Sequence, residues 1–197
     1  MAYKLYFKYG VMGSSKTAQA LMTRFNYEQQ GYKVLLMKPK IDNRDDKSEK
    51  TIIKSRIGLE EEAYAFSLNE NLIDTFSKLS EDKNYNVIIC DESQFCTAEQ
   101  IEQFKTLTDK VPVFCYGLKT DFKSNLFEGS KRLIEIADSL TEIKSICECG
   151  KKAIINARFI DGIITTTGSV VDIGGDEKYR PLCYSCYKNY INQSKNQ

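Results

Sequence analysis

Gly10-Val11-Met12-Gly13-Ser14-Ser15-Lys16-Thr17 is the stretch that decides the fold of this chain. An alternating run, Tyr3–Tyr9, precedes it and a helix-like segment, Thr17–Gln29, follows. Strand, glycine-led loop, Lys-Thr and helix are the parts of a phosphate-binding P-loop, whose backbone N–H groups and helix N-terminus cradle phosphate oxygens. The lysine adds a positive charge, and the hydroxyl after it can ligate Mg²⁺. The pattern wants glycine just before the lysine, and here stands Ser15. A Cβ-compatible backbone at Ser15, with Gly13 absorbing the tighter turn, is the expected accommodation. The bland alternative is a Gly/Ser-rich loop ahead of an ordinary helix.

Outward from the loop, short apolar runs alternate with amphipathic stretches. Strands are predicted over Tyr3–Tyr9, Lys33–Met37, Asn86–Asp91 and Val111–Gly117, with a weaker pair at Thr51–Ser55 and Glu62–Phe66. Helices are predicted over Thr17–Gln29, Asn69–Leu79, Thr97–Thr108 and Leu133–Leu140. Val87-Ile88-Ile89-Cys90 is a continuous apolar run, as a central parallel strand covered on both faces requires. The order predicts an α/β fold with right-handed crossovers. The charged stretch Ile41–Lys50 reads as a surface loop.

Composition narrows the chemistry. The 197 residues hold 28 basic and 27 acidic side chains, so no global charge predicts a nucleic acid or membrane partner. Lys4 and Lys8 interrupt the first apolar run, and no run approaches the ~20 residues that span a bilayer. The expectation is a soluble, cytoplasmic protein. Histidine is absent, which excludes imidazole bases and ligands and leaves proton transfer to carboxylates, Lys, Tyr or water.

Asp91 closes the apolar strand, where P-loop proteins hold Mg²⁺; otherwise it caps a turn. Glu92 beside it suits an acceptor for a hydroxyl proton, or is a solvated strand-end carboxylate. Phe95, Phe122, Phe127 and Tyr179 line an apolar slot for a base or are plain core. Of the seven cysteines, Cys90, Cys96 and Cys115 read as small core residues. Cys147, Cys149, Cys183 and Cys186 form two close pairs that together can make a tetrahedral all-thiolate zinc site; free thiols are the alternative. The first pair has one residue fewer between its cysteines than the favoured spacing. The predicted division is a P-loop α/β domain over 1–143 and a small zinc-binding domain over 144–197.

Taken together, these motifs resemble the type II thymidine kinases, and the resemblance runs along nearly the whole chain. It implies a RecA-like P-loop NTPase-type parallel sheet flanked by helices, with a small C-terminal zinc-held lasso. The loop matches the family's Gly-x-Met-x-Ser-Gly-Lys-Ser/Thr, implying that Gly10, Met12, Gly13, Ser14, Ser15, Lys16 and Thr17 bind ATP. Lys38-Pro39-Lys40-Ile41-Asp42-Asn43-Arg44 is similar to the family's Lys-Pro…Asp-x-Arg segment, which places Asp42 and Arg44 near the phosphates. Asp91-Glu92-Ser93-Gln94-Phe95 matches Asp-Glu-x-Gln-Phe. The match implies Asp91 on Mg²⁺, Glu92 as catalytic base, Gln94 in the nucleotide site and Phe95 at the substrate.

Gly117-Leu118-Lys119-Thr120-Asp121-Phe122 with Phe127 resembles the base-pocket loop, so Leu118, Phe122 and Phe127 are implied around the pyrimidine. Ile173–Tyr179 is similar to the end of the lasso, implying contacts from Val170, Asp172, Gly174 and Tyr179. Asn156 stands where the family usually has a threonine lining the 5-methyl pocket, which implies relaxed discrimination against deoxyuridine. The resemblance further implies a homotetramer, ATP and thymidine as substrates, and dTTP as feedback inhibitor. Two rival readings stay open on the residues: an ATP-dependent switch, and a zinc-ribbon protein that binds nucleic acid.

Overall fold

The computed structural model describes residues 2–40, 50–169 and 178–194. Its centre is a seven-stranded sheet of β1 (Leu5–Gly10), β2 (Val34–Pro39), β3 (Lys50–Lys54), β4 (Glu60–Phe66), β5 (Val87–Cys90), β6 (Val113–Leu118) and β7 (Ser139–Glu142). The order is β3-β4-β2-β5-β6-β1-β7, parallel except for the antiparallel edge pair β3–β4. The predicted α/β class holds, as a parallel-dominant mixed sheet.

The alternation of β5 explains why it reads as unbroken apolar sequence. Ile88 and Cys90 join a core with Phe76 of α2 (Leu72–Lys83), Phe104 of α3 (Ala98–Leu107) and Leu133 of α4 (Glu128–Ile136). Val87 and Ile89 face the opposite side, against Ala20 and Leu21 of α1 (Lys16–Gln29). Helices thus cover both faces. Cys90, Cys96 and Cys115 are buried in the first of these cores, as expected.

The predicted helix Leu133–Leu140 is corrected at both ends. The helix begins at Glu128, ends at Ile136, and Leu140 belongs to β7, paired beside β1. Gly129 hid the start, because helix propensity disfavours it. Close packing requires it: a Cβ there would lie 2.5 Å from the Ser93 carbonyl oxygen. The polar edge strand Ser139–Glu142 carries no apolar alternation to announce it.

A second, three-stranded sheet has the order β10-β8-β9, from β8 (Ile155–Ile160), β9 (Ile163–Thr165) and β10 (Tyr179–Leu182), with α5 (Tyr184–Ser194) packed on it. Its core of Ala153, Ala157, Phe159, Ile164 and Leu182 takes in Val11 from the glycine-led loop. The small module therefore grips the loop. No helix among the described residues is long and apolar enough to cross a membrane.

Candidate active site

The loop after β1 is shaped by close contacts. A Cβ on Gly10 would strike the Ser14 hydroxyl and lie 2.5 Å from the Ile143 carbonyl oxygen, so only glycine fits. Gly13 has φ +73° and Ser15 φ +61°. The expected accommodation is thereby corrected: Ser15 itself adopts the left-handed conformation that glycine takes at low cost, and Gly13 does not spare it. The side chain of Ser15 makes no capping hydrogen bond, and the first turn of α1 has no acidic residue. By contrast, Asn71 caps α2 and a Thr97/Gln100 capping box closes α3. Neither an N-cap side chain nor a first-turn carboxylate therefore competes with an anion for the start of α1. Lys16, 9 % exposed, donates to the Val11 carbonyl at 2.8 Å.

Asp91 and Glu92 stand at the end of β5, across the loop. The Thr17 hydroxyl donates to the Asp91 carboxylate at 2.9 Å. Burial, and then the charge of Glu92, push the Asp91 carboxyl up to about 6, against the lowering effect of the Thr17 hydrogen bond. Glu92 takes a left-handed backbone, φ +54°. Its carboxylate accepts from Gln94 Nε2 at 2.5 Å, and Gln94 Oε1 accepts the Leu118 N–H at 2.9 Å. Gln94 therefore ties Glu92 to the end of β6. Gly117 makes room for it, since a Cβ there would stand 2.7 Å from Gln94 Oε1.

Two cavities adjoin. One of about 410 Å³ is lined by the loop from Met12 to Ala18, Lys38, the β3–β4 turn, Glu92 and Gln94. The other, about 110 Å³, is lined by Phe95, Leu118, Phe122, Phe127, Asn156 and Tyr179. Met12, Phe95 and Leu118 line both. The Phe95 and Phe127 rings meet edge to face at 5.5 Å, and the Arg158 guanidinium lies 5.2 Å over Phe122. The four aromatics singled out in the sequence thus share one slot. Asp42, Arg44, Val170, Asp172 and Gly174 lie outside the described residues.

Asn156 does more than line this slot. Buried in β8, it accepts the Met12 N–H at 2.7 Å and donates to the Thr120 carbonyl at 2.9 Å. Both ends of its amide are spent on backbone, so it braces the loop against the aromatic slot. Sequence reasoning missed this role, and it missed Arg56 on the β3–β4 turn. Only the histidine-free composition hinted that further cations would come from Lys or Arg.

The four paired cysteines converge, with all their sulfurs within 4.8 Å of one another. Gly150, at φ +81°, and the 2.8 Å bond from its N–H to the Cys147 carbonyl close a tight turn around Cys147 and Cys149. That turn is how the short first pair contributes both sulfurs. Tetrahedral zinc with ~2.3 Å Zn–S bonds places sulfurs roughly 3.8 Å apart. Cys149 and Cys183 stand 3.6 Å apart. The set fits a zinc ion. The Cys186 N–H leads the effects that hold the Cys183 thiol down to about 7, towards the thiolate a metal needs.

An uncapped helix behind a glycine-led loop, a hydroxyl–carboxylate pair beside it and an aromatic slot next door define a P-loop nucleotide-binding protein of the α/β class. The chain belongs to the thymidine kinase family, whose model, described as "Thymidine kinase", matches residues 3–187. It is 38% identical over 191 residues to a thymidine kinase of Shewanella oneidensis, covering 95% of this chain and 98% of the relative. Identity is 43% over 189 residues to one of Streptococcus pyogenes serotype M3 (94% and 97% covered). It is 42% over 189 residues to one of Legionella pneumophila subsp. pneumophila (94% and 89%).

Proposed function

We propose that the protein transfers the γ-phosphate of ATP to the 5′-hydroxyl of thymidine, and of deoxyuridine, giving the monophosphate and ADP for nucleotide salvage. The observation that carries this reading is the adjoining pair of cavities, with Glu92 and Lys16 in the polar one and the aromatic slot beside it. ATP lies on the P-loop, its phosphates at the backbone of Gly13 to Thr17 and on the Lys16 ammonium, which leaves the Val11 carbonyl to reach them. Glu92, oriented by Gln94, accepts the 5′-hydroxyl proton as the oxygen attacks the γ-phosphorus in line. Phe95, Leu118, Phe122, Phe127 and Tyr179 enclose the pyrimidine, Asn156 stands at its edge, and Val170, Asp172 and Gly174 contribute from the lasso. Asp42 and Arg44 approach the phosphates from the segment after β2.

Mg²⁺ fits the hard oxygen donors of Thr17 and Asp91 and would neutralise the phosphate charge. Zinc on Cys147, Cys149, Cys183 and Cys186 is structural, because four thiolates leave no open position. The chain works as a kinase domain, 1–143, and a lasso domain, 144–197. It acts in the cytoplasm as a homotetramer, with dTTP as feedback inhibitor.

The test is a coupled assay with ATP, Mg²⁺ and a panel of deoxynucleosides, run beside Glu92→Gln. Thymidine and deoxyuridine should give monophosphates, and Glu92→Gln should lose activity by about a hundredfold or more. A wild type that phosphorylates neither, or a Glu92→Gln variant as fast as wild type, defeats the reading.

A further inference from the structure

The turn between β3 and β4 is closed by its own hydrogen bonds and brings a cation to the P-loop. Ser55 N–H donates to the Leu59 carbonyl at 2.7 Å and Gly58 N–H to the Ser55 carbonyl at 3.1 Å. The Leu59 N–H donates to the Ser55 hydroxyl at 3.0 Å. Gly58 sits at φ +86°, the conformation that lets so short a turn close. Ser55 is buried beneath the turn while Arg56 is exposed on the cavity side. The guanidinium reaches over the loop: a Cβ built on Gly13 would stand 3.5 Å from Arg56 Nη1. Lys54, which lines the same cavity, pairs with Glu60 at 3.0 Å.

Lys16 and Glu92 line the same cavity, from the start of α1 and from the segment after β5. Arg56 alone among the turn's side chains brings a planar, multi-donor cation to that cavity, beside Gly13. We propose that Arg56 is a further catalytic residue, a phosphate clamp supplied in cis, whose guanidinium holds the non-bridging oxygens of the phosphoryl group in transit.

The inference rests on the kinase reading given above. In the step it serves, the 5′-oxygen forms a bond to the γ-phosphorus while the bond from phosphorus to the β–γ bridging oxygen breaks. The electron pair leaves with ADP, and the proton passes to the Glu92 carboxylate. Charge spreads over the equatorial oxygens during this exchange, and a guanidinium stabilises it best because its fork matches two oxygens at once. The contact is strongest in the transition state, so it raises turnover more than it tightens nucleoside binding.

The experiment compares wild type, Arg56→Ala, Arg56→Gln and Arg56→Lys in steady-state kinetics, with equilibrium binding of ADP and of a non-hydrolysable ATP analogue. Loss of the clamp should lower kcat by about 10²–10³-fold in the Ala and Gln variants, with thymidine KM within about threefold of wild type. The ATP analogue should bind more weakly while ADP affinity stays within about threefold, and added guanidinium should partly restore the Ala variant. Arg56→Lys should fall in between, because a point charge keeps attraction and loses the fork. An active wild type with both truncated variants within about threefold of its kcat overturns the Arg56 role alone. Equal loss of ADP and analogue binding overturns it too, since that is general electrostatics. A wild type inactive on every deoxynucleoside overturns the kinase reading and the clamp together.

Discussion

Asn156 Oδ1 accepts the Met12 N–H at 2.7 Å across 144 residues of sequence. The same amide reaches Thr120, so one side chain spans the nucleotide loop and the aromatic slot. Asn156→Ala should orphan a donor and an acceptor and cost about 1–3 kcal/mol of stability. Steady-state kinetics should show KM rising for ATP and thymidine together. A rise for thymidine alone would mean that Asn156 lines the slot and braces nothing.

Ser15 holds a strained conformation at the mouth of α1. Ser15→Gly should relieve it, keep ADP affinity and raise stability by about 1 kcal/mol, the left-handed cost less the flexibility glycine adds to the unfolded chain. Thermal melts and titration calorimetry decide the matter. A lower melting temperature, or lost ADP binding, would show that the loop is built around serine.

Asp91, held up to about 6, sets a pH signature for the metal-free protein. Its folded value exceeds the unfolded one, near 3.8, so the buried charge is no burden below pH ~4. The destabilisation grows between about pH 4 and 6 and is complete above. Asp91→Asn should therefore melt higher than wild type at pH 7.5, by on the order of 1–3 kcal/mol, and equal it near pH 4. Activity should vanish. Chemical denaturation across this range is the check, and a variant less stable than wild type at pH 7.5 would contradict the assignment.

Zinc should be found at about one ion per chain, as a single tetrahedral site requires. Stripping it should lower the melting temperature and also weaken ADP binding, although no cysteine lines the nucleotide cavity. Val11 is the reason, because its side chain belongs to the module's core. Metal-free protein that binds ADP as tightly as the zinc form would sever that link.

The sequence announced what is local in spacing. Gly10 to Thr17, the apolar β5 and the cysteine pairs could be read because each motif is a short run with a fixed period. Gly129 and β7 escaped because the requirement for each lies in a distant partner, the Ser93 carbonyl in one case and β1 in the other. Asn156 was legible as a residue of the slot, but its bracing role escaped for the same reason, as did Arg56. An asparagine in a strand and an arginine in a turn look ordinary until the chain brings Met12, Thr120 and Gly13 beside them. Ser15 was visible as a departure, yet its left-handed backbone was not, since only the closed loop fixes φ.

The position of β1, between β6 and β7, bears on how the protein is born. Leu5, at the start of the chain, donates its N–H to Asp138, 133 residues on. At ~5–20 residues per second, a ribosome holds the glycine-led loop for about 10 s before both flanking strands exist. Through that interval the nascent chain has a phosphate loop in sequence and none in space. ATP capture therefore comes late in synthesis, and a truncated product ending before β7 would leave the loop's own strand exposed as a sticky edge.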